Sequence, residues 1–380
     1  MTSFVKRIAI VFRGIGDIGG TNNTIAEHAR HFSALGHDVD LIGEKVHKGG
    51  LTPDMGRAVR ISRVPVLGRY KWRWFAARAQ QAIDRNSYDF VAGHGHHYRQ
   101  HVLSMHNCLH LAHEIATGQT LDARGTLAEI HDRIFAVDGF RYCICNSKLM
   151  QNDLAERYGI ARARLPVIYP GYRSTQFQRA DRQRYRERVR AELGCGDEVL
   201  IGLVTSGDFR KRGLDILLEA YAGLDASQQR ASRVLVLGKK RGSAAFVERA
   251  TALGIADRFQ FVAPTREPQR YFHALDVCAH PARVEEFGQS VQEAMACGVP
   301  LVTSQRVGAT ELLPRALRDG LPQRPDIDAI RAQLARMIDD PAWRAAFAEQ
   351  AGERALHNTE RANFDATLAL YRRSGLAVSE

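Results

Sequence analysis

The sequence predicts an α/β protein of two doubly wound lobes. The chain has 380 residues with 45% hydrophobic and 25% charged side chains, which is typical of a globular protein longer than one domain. Short apolar runs of strand length alternate with helical segments, as in parallel sheets with helices on both faces. The alternation occurs once in each half of the chain. It therefore predicts two lobes whose sheets face a central ligand cleft with their carboxyl ends.

The first lobe is predicted over residues 1–172. It opens with a buried strand, a glycine-rich turn and a helix, and strands and helices then alternate. The predicted strands are 7–12, 37–43, 59–66, 89–93, 101–106, 142–145 and 165–171, and the predicted helices are 21–35, 71–85 and 148–158. Pro170 and Gly171 end the last strand, so we place the boundary between the lobes there.

The second lobe is predicted over residues 173–355. Its strands are 199–205, 233–238, 259–263, 277–279 and 300–304, and its helices are 181–193, 214–224, 244–253, 268–275 and 289–297. From residue 325 onward the pattern is helical. We expect the last segment, 356–380, to form a helix that packs back on the first lobe.

Composition excludes several classes of protein. The apolar runs are too short to cross a bilayer and no signal peptide is recognised. The six cysteines include no C-x-x-C pair, which argues against disulfides and structural zinc and favours the cytoplasm. The net charge of +11 predicts an anionic partner, namely nucleic acid, a membrane surface or a phosphorylated substrate.

The most informative segment is 280–300, HPARVEEFGQSVQEAMACGVP. It follows a predicted strand and opens a predicted helix, so the amides of Gly288, Gln289 and Ser290 lie at a helix N-terminus, where anions bind. Glu285 precedes the helix and Glu293 lies about one turn inside it. The two carboxylates are suited to hydroxyl groups on either side of a diphosphate.

The spacing of these glutamates, in E-x-F-G-x-x-x-x-E-A-M-A-x-G-x-P, resembles the donor-binding motif of retaining GT-B glycosyltransferases of family four. The resemblance implies that Glu293 binds the nucleotide ribose and that Glu285 binds the donor sugar or its phosphate flank. It further implies that the backbone from Phe287 to Ser290 binds the diphosphate. The alternative is a helix N-terminus whose acidic residues merely interact favourably with the dipole.

A second match is the basic loop in 205–215, TSGDFRKRGLD. In the family this loop holds an arginine and a lysine that neutralise the diphosphate, which identifies Arg210, Lys211 and Arg212 as the corresponding cations. The spacing of these cations differs from the spacing in the family. The sequence therefore leaves open which two of the three contact phosphate. A solvated basic turn is the alternative.

In the first lobe, Gly19 and Gly20 resemble the family's glycine pair, at which the backbone approaches a phosphate or sugar. His106 matches the family histidine that contacts the donor sugar. Two alternatives concern the seven histidines of 94–113: a polar cleft wall, or zinc bound by His106, His110 and His113. We predict no metal.

Residues 69–78 mix aromatic and basic side chains in the manner of an interfacial helix. Lys71, Trp72, Arg73 and Trp74 are therefore predicted to contact an anionic membrane surface. In the alternative, Trp72 and Phe75 pack inward.

Over nearly its whole length the chain resembles bacterial lipopolysaccharide core glycosyltransferases that add glucose to a heptose. This implies a retaining hexosyltransferase that uses a UDP-sugar, UDP-glucose first, without metal or other cofactor, on a lipid-linked glycan at the inner face of the cell membrane. The alternatives are another donor (GDP-mannose, dTDP-rhamnose or UDP-GlcNAc), a different acceptor, a sugar-nucleotide epimerase, or a non-enzymatic anion-binding protein. No nucleic-acid-binding module is recognised, so nucleic acid is not expected as a partner.

Overall fold

A computed structural model of the chain describes residues 6–16, 19–47, 50–62, 68–205, 208–238 and 242–376, without the side chain of Arg69. The chain divides into two compact units, one formed by Met1–Gly171 with Glu360–Glu380 and the other by Tyr172–Thr359. Each unit is built on one parallel β-sheet whose strands alternate with helices. This confirms the predicted fold class of two doubly wound α/β lobes. Within the described ranges, no helix is long and apolar enough to cross a membrane.

Among its described residues, the first unit contains eight strands, and five helices precede its C-terminal segment. The strands are β1 (Arg7–Val11), β2 (Gly14–Ile15), β3 (Asp38–Gly43), β4 (Lys45–Val46), β5 (Arg57–Arg60), β6 (Phe90–Gly93), β7 (Val102–Ser104) and β8 (Tyr142–Ile144). The helices are α1 (Gly20–Ala34), α2 (Lys71–Arg85), α3 (Leu109–Thr117), α4 (Leu127–Ala136) and α5 (Lys148–Tyr158). Six strands form one sheet in the order β5-β3-β1-β6-β7-β8, and β2 pairs with β4.

Strand β1 lies inside this sheet because its sequence is apolar throughout. Ile8, Ala9, Ile10 and Val11 are all buried, as expected of a strand covered on both faces. It pairs in parallel with β3 on one side and β6 on the other. The residues that follow β1, β6 and β7 are therefore brought together at the carboxyl edge of the sheet.

The second unit repeats the arrangement with five strands in the order β11-β10-β9-β12-β13. The strands are β9 (Val199–Val204), β10 (Ser232–Leu237), β11 (Phe259–Val262), β12 (Val277–Ala279) and β13 (Leu301–Val302). The helices are α6 (Arg182–Glu192), α7 (Leu214–Ala222), α8 (Ala226–Arg230), α9 (Ala244–Ala252), α10 (Pro268–Ala274), α11 (Gln289–Ala296), α12 (Arg315–Asp319), α13 (Ile327–Asp339) and α14 (Pro341–Ala355). Because β9 and β12 are neighbours, the loops that follow them share one edge of the sheet.

The last helix, α15 (Glu360–Arg373), returns to the first unit. Phe364, Leu370 and Tyr371 are buried in the same apolar cluster as residues of β1 and α1. The ring of Tyr371 stacks on Phe32 with centroids 5.6 Å apart. The return to the first unit begins at Glu360, four residues beyond the predicted start at 356.

The structure corrects several predicted elements. The predicted strand 165–171 is reduced to a single bridge between Val167 and Cys145, because Pro166 and Pro170 lack the amide hydrogen that a ladder needs. Of the predicted strand 59–66, β5 includes only the first two residues, and residues 63–67 lie outside the described residues. The short helices α3, α4, α8 and α12 were not predicted.

Candidate active site

The basic loop of the second unit is held in one shape by its own residues. The carboxylate of Asp208 accepts hydrogen bonds from the amides of Arg210 and Lys211, at 2.8 and 3.2 Å. Gly213 has a φ of +75°, and a Cβ there would collide with the carbonyl oxygen of Pro281. Only glycine allows this close approach between the loop and the segment after β12.

The three cations of this loop have different environments. The ammonium group of Lys211 lies 2.8 and 3.1 Å from the two carboxylate oxygens of Glu286, a buried residue. Arg212 forms an ion pair with Glu285, and burial lowers the pKa of its guanidinium. Arg210 is exposed. Two of the cations are thus held by acidic residues of the glutamate segment.

Glu285 is fixed by its backbone on both sides. Its amide donates to the carbonyl of Arg306 at 2.9 Å, and its carbonyl accepts from Gly308 at 3.0 Å. The carboxylate lies 3.5 Å from Nε2 of His280, which is buried at the end of β12. Burial, together with the positive charges of Arg212 and Lys211, lowers the pKa of His280 to about 3. His280 is therefore neutral at physiological pH.

Helix α11 presents open amides at its N-terminus. Gly288 precedes the helix with a φ of +92°, and a Cβ there would lie 3.0 Å from Cγ of Glu285. The first amides of a helix have no acceptor within it, and Gln289 and Ser290 are half-exposed. Together with the helix dipole, these amides suit a phosphate group.

Glu293 lies one turn further along α11 and is half-buried. Its carboxylate makes no hydrogen bond or ion pair with any side chain in the described part of the chain. Burial raises its pKa to about 7, against the opposing attraction of Arg173. A carboxylate with unused acceptor capacity beside a helix N-terminus can bind a pair of hydroxyl groups.

In the first unit, the predicted glycine pair lies at the start of α1. Gly19 precedes the helix and Gly20 is its first residue. A Cβ on Gly19 would meet no atom of the described residues within 4 Å, which leaves room for a ligand on this side. Ile18, which opens the matching motif, lies outside the described residues.

His106 follows β7 and shares a hydrogen bond with His94, which follows β6. Nε2 of His106 lies 2.8 Å from Nδ1 of His94. Burial lowers the pKa of His106 to about 4. His110 instead pairs with Asp132 at 2.9 Å, so the three histidines of the zinc alternative do not converge. Within the described ranges, no three His, Cys, Asp or Glu side chains are grouped for a metal ion.

The predicted membrane segment forms the first turn of α2. The ring of Trp72 packs inward against Arg13 and His96, and Arg73 pairs with Glu129 at 2.6 Å. Lys71 is exposed and Trp74 is half-exposed. Trp72 therefore packs inward, as the alternative interpretation predicts, and so does Phe75, which is fully buried.

Sequence reasoning did not identify Glu286, His280 or His94 as parts of these sites. Glu286 and His280 lie inside the segment that contains the predicted glutamates. Their proximity to that motif could have identified them from the sequence. Their partners, in contrast, depend on the order of the strands in the sheet. His94 has no comparable signal, because it is one of seven neighbouring histidines.

Comparison with known proteins gives two family models that follow one another along the chain. Residues 18–175 match the model for Glycosyltransferase Family 4, and residues 186–354 match the model for Glycosyl transferases group 1. Together the two models include most residues of each unit.

Curated relatives share this full-length match. The chain is 27% identical to a D-inositol 3-phosphate glycosyltransferase of Nocardiopsis dassonvillei, with 94% of this chain and 90% of the relative covered. It is 28% identical to a protein of the same description from Mycobacterium marinum, with 95% and 82% covered.

Solved structures have the same fold at lower identity. WaaG, a glycosyltransferase involved in lipopolysaccharide biosynthesis, superposes with a TM-score of 0.76 at 19% identity, covering 96% of this chain and 99% of its own. Anabaena HepE, solved with UDP-glucose, superposes with a TM-score of 0.74 at 19% identity, covering 97% and 100%.

Proposed function

Since the chain consists of a family 4 and a group 1 glycosyltransferase domain, it is a GT-B glycosyltransferase, and we propose that it transfers a hexose from a UDP-sugar to a lipid-linked glycan. The first donor to consider is UDP-glucose. The first acceptor is a lipopolysaccharide core. The transfer retains the anomeric configuration and uses no metal.

The observation that supports this proposal is the arrangement at the edge of the second sheet. The open amides of Gln289 and Ser290, the basic loop and the unpaired carboxylate of Glu293 all follow the two neighbouring strands β9 and β12. This combination provides donors for a diphosphate and an acceptor for ribose hydroxyls within one loop cluster. Glu285 then lies where the donor sugar would follow.

Catalysis on this proposal is stabilisation of the leaving diphosphate. Negative charge grows on the diphosphate as the glycosidic bond breaks, and fixed amides and cations are most effective where charge develops. Lys211 and Arg212 would exchange their glutamate partners for phosphate oxygens. The acceptor attacks from the face that the diphosphate leaves, so a leaving-group oxygen can take its proton and no carboxylate nucleophile is needed.

Two acceptors have separate support. WaaG, whose fold this chain shares, is involved in lipopolysaccharide biosynthesis, which supports a lipopolysaccharide core. The relatives matched over 94% of the chain are described as D-inositol 3-phosphate glycosyltransferases, which supports a phosphorylated polyol as the second candidate. We also propose a peripheral position at an anionic membrane surface through Lys71, which is exposed, and Trp74, which is half-exposed.

The test is UDP release from a panel of nucleotide sugars, with heptose-bearing lipid or inositol phosphate as acceptor. UDP-glucose should be consumed, and Glu285→Ala and Glu293→Ala should each reduce kcat/KM by about 10²-fold or more. Glu248→Ala, on the exposed face of α9, is the matched control in the same unit. Calorimetry that detects no binding of any nucleotide sugar to the wild-type chain would refute the proposal.

A further inference from the structure

His94 has no role in the function proposed above, yet it makes a direct hydrogen bond to His106, which the family resemblance predicts to contact the donor sugar. Its Nδ1 lies 2.8 Å from Nε2 of His106. The two ring planes are 10° from parallel and their centroids are 5.1 Å apart, so the rings lie side by side with the hydrogen bond between them. Phe12 faces both rings edge-on, at 6.0 Å from His94 and 6.5 Å from His106.

The sheet fixes the backbone on both sides of this pair. His94 follows Gly93, the last residue of β6, and its amide donates to the carbonyl of Val11 at 3.2 Å. His106 follows Met105, whose amide donates to the carbonyl of Ile144 at 3.0 Å. Because β6 and β7 are neighbours, the two imidazoles meet through the order of the strands.

The hydrogen bond leaves one ring nitrogen of His106 for a ligand. Burial keeps both rings neutral at physiological pH, since the pKa of His106 is lowered to about 4 and that of His94 lies well below its usual value. Two neutral imidazoles share a single proton in such a bond, so each ring's tautomer determines the other's. Nε2 of His106 is occupied, and Nδ1 is the nitrogen that remains. His106 is partly exposed, whereas His94 is 4% exposed.

We propose that His94 is a positioning residue, which sets the tautomer and the ring angle of His106 so that Nδ1 of His106 is presented to the donor hexose. The inference rests on the proposed function, because it assumes that His106 contacts the hexose. The hydrogen bond to Nδ1 of His94 holds the ring of His106 at Nε2, the nitrogen that does not contact the hexose. A misplacement of about 1 Å in such a group can cost about 10²-fold in rate.

Three substitutions of His94 distinguish a positioning role of its hydrogen bond from a purely steric role of its ring. An asparagine amide lies near where Nδ1 of histidine lies, a glutamine amide lies nearer Nε2, and phenylalanine fills the volume without a hydrogen bond. His94→Asn should keep the kcat of UDP release from UDP-glucose within about threefold of wild type, whereas His94→Gln and His94→Phe should lower it by about 10- to 100-fold. KM for UDP-glucose should stay within about threefold throughout. His113→Asn, a half-exposed histidine of the same unit, is the control and should match wild type.

Equal rates in the three His94 variants, whether high or low, would overturn the inference. ¹⁵N spectra of the wild-type chain provide a second readout that needs no variant to fold. They should show a scalar coupling across the bond between Nδ1 of His94 and Nε2 of His106, and its absence would also overturn the inference. If wild type neither binds nor consumes UDP-glucose, the proposed function fails, while the coupling still decides whether the pair exists.

Discussion

At the residue scale, the basic loop and the glutamate segment combine charges that neutralise one another with a carboxylate, Glu293, that has no side-chain partner among the described residues. Lys211 and Arg212 each have a glutamate partner, so the cations are held in place before a diphosphate arrives. The carboxylate of Glu293 is partly buried and has no hydrogen-bonding side chain beside it in the described residues. This burial raises its pKa to about 7. A half-buried carboxylate with unused lone pairs costs stability, and functional sites commonly accept such a cost.

Glu293 should make donor binding depend on pH. Its carboxylate forms as pH rises through about 7, and the ionised form accepts both ribose hydroxyls better than the neutral acid. UDP-glucose affinity should therefore rise severalfold between about pH 6 and pH 8, measured by calorimetry. UDP-glucose, unlike UDP, has no phosphate proton that titrates in this range. Glu293→Gln should bind weakly and without this dependence, whereas Glu248→Gln should behave like wild type.

The raised pKa of Glu293 also predicts how the stability of the fold changes with pH. A carboxyl whose pKa is raised on folding contributes stability below its unfolded pKa and loses that contribution as pH rises through the folded value. Glu293→Gln should therefore raise the unfolding temperature at pH 8 but leave it unchanged near pH 5. An equal change in the unfolding temperature at both pH values would show that ionisation of this carboxylate does not destabilise the fold.

Gly213 should be indispensable for the shape of the basic loop. Gly213→Ala would place a Cβ against the carbonyl of Pro281 in addition to the strain of a positive φ. Gly254→Ala is the matched control, because Gly254 has a φ of +73° and no atom within 4 Å of a Cβ. Denaturant unfolding should show a loss of about 1 kcal/mol for Gly254→Ala and of more than about 3 kcal/mol for Gly213→Ala. Similar losses would mean that the loop can move away from Pro281.

At the element scale, the carboxyl ends of neighbouring strands bring together residues distant in sequence. Strands β9 and β12 place the basic loop beside the glutamates, and β6 and β7 place His94 beside His106. The C-terminal helix α15 has a different role, because it completes the apolar core of the first unit. Its removal would expose that core to water.

Leu370→Ala should destabilise the first unit selectively. Leu370 is fully buried in the cluster shared with β1 and α1, and truncation of such a leucine costs about 2–5 kcal/mol. Leu35→Ala, at a leucine 44% exposed in the same unit, should change stability by less than about 0.5 kcal/mol. Hydrogen exchange should show faster opening in the strands of the first unit only. Equal acceleration in both units would contradict an independent core.

At the scale of the whole molecule, two units of similar architecture have different chemistry. The second unit has the cations and the helix N-terminus suited to a diphosphate. The first contains the hydrogen-bonded imidazoles of His94 and His106 and the α2 segment with exposed Lys71. The net charge of +11 adds a general attraction to anionic surfaces.

Anionic membrane binding should depend on Lys71 and on salt. Vesicles containing phosphatidylglycerol should bind the chain, and each cation near the surface contributes about 1 kcal/mol. Lys71→Glu should therefore weaken binding by about tenfold. Lys45→Glu, an exposed lysine of β4, makes the same change in total charge and should have a smaller effect. Equal losses for both variants would indicate attraction by net charge alone.

The sequence by itself determined the order of strands, loops and helices and the position of the proposed donor-binding motif, because these features are contiguous. Helix α2 and helix α5 begin and end as their patterns predict, and Glu285 and Glu293 lie on either side of a helix N-terminus as their spacing predicts. Only the tertiary structure decided which charges meet. Lys211 and Glu286 are 75 residues apart, and His94 and His106 meet across two neighbouring strands. Such contacts depend on strand order and burial, which no local pattern of residues specifies.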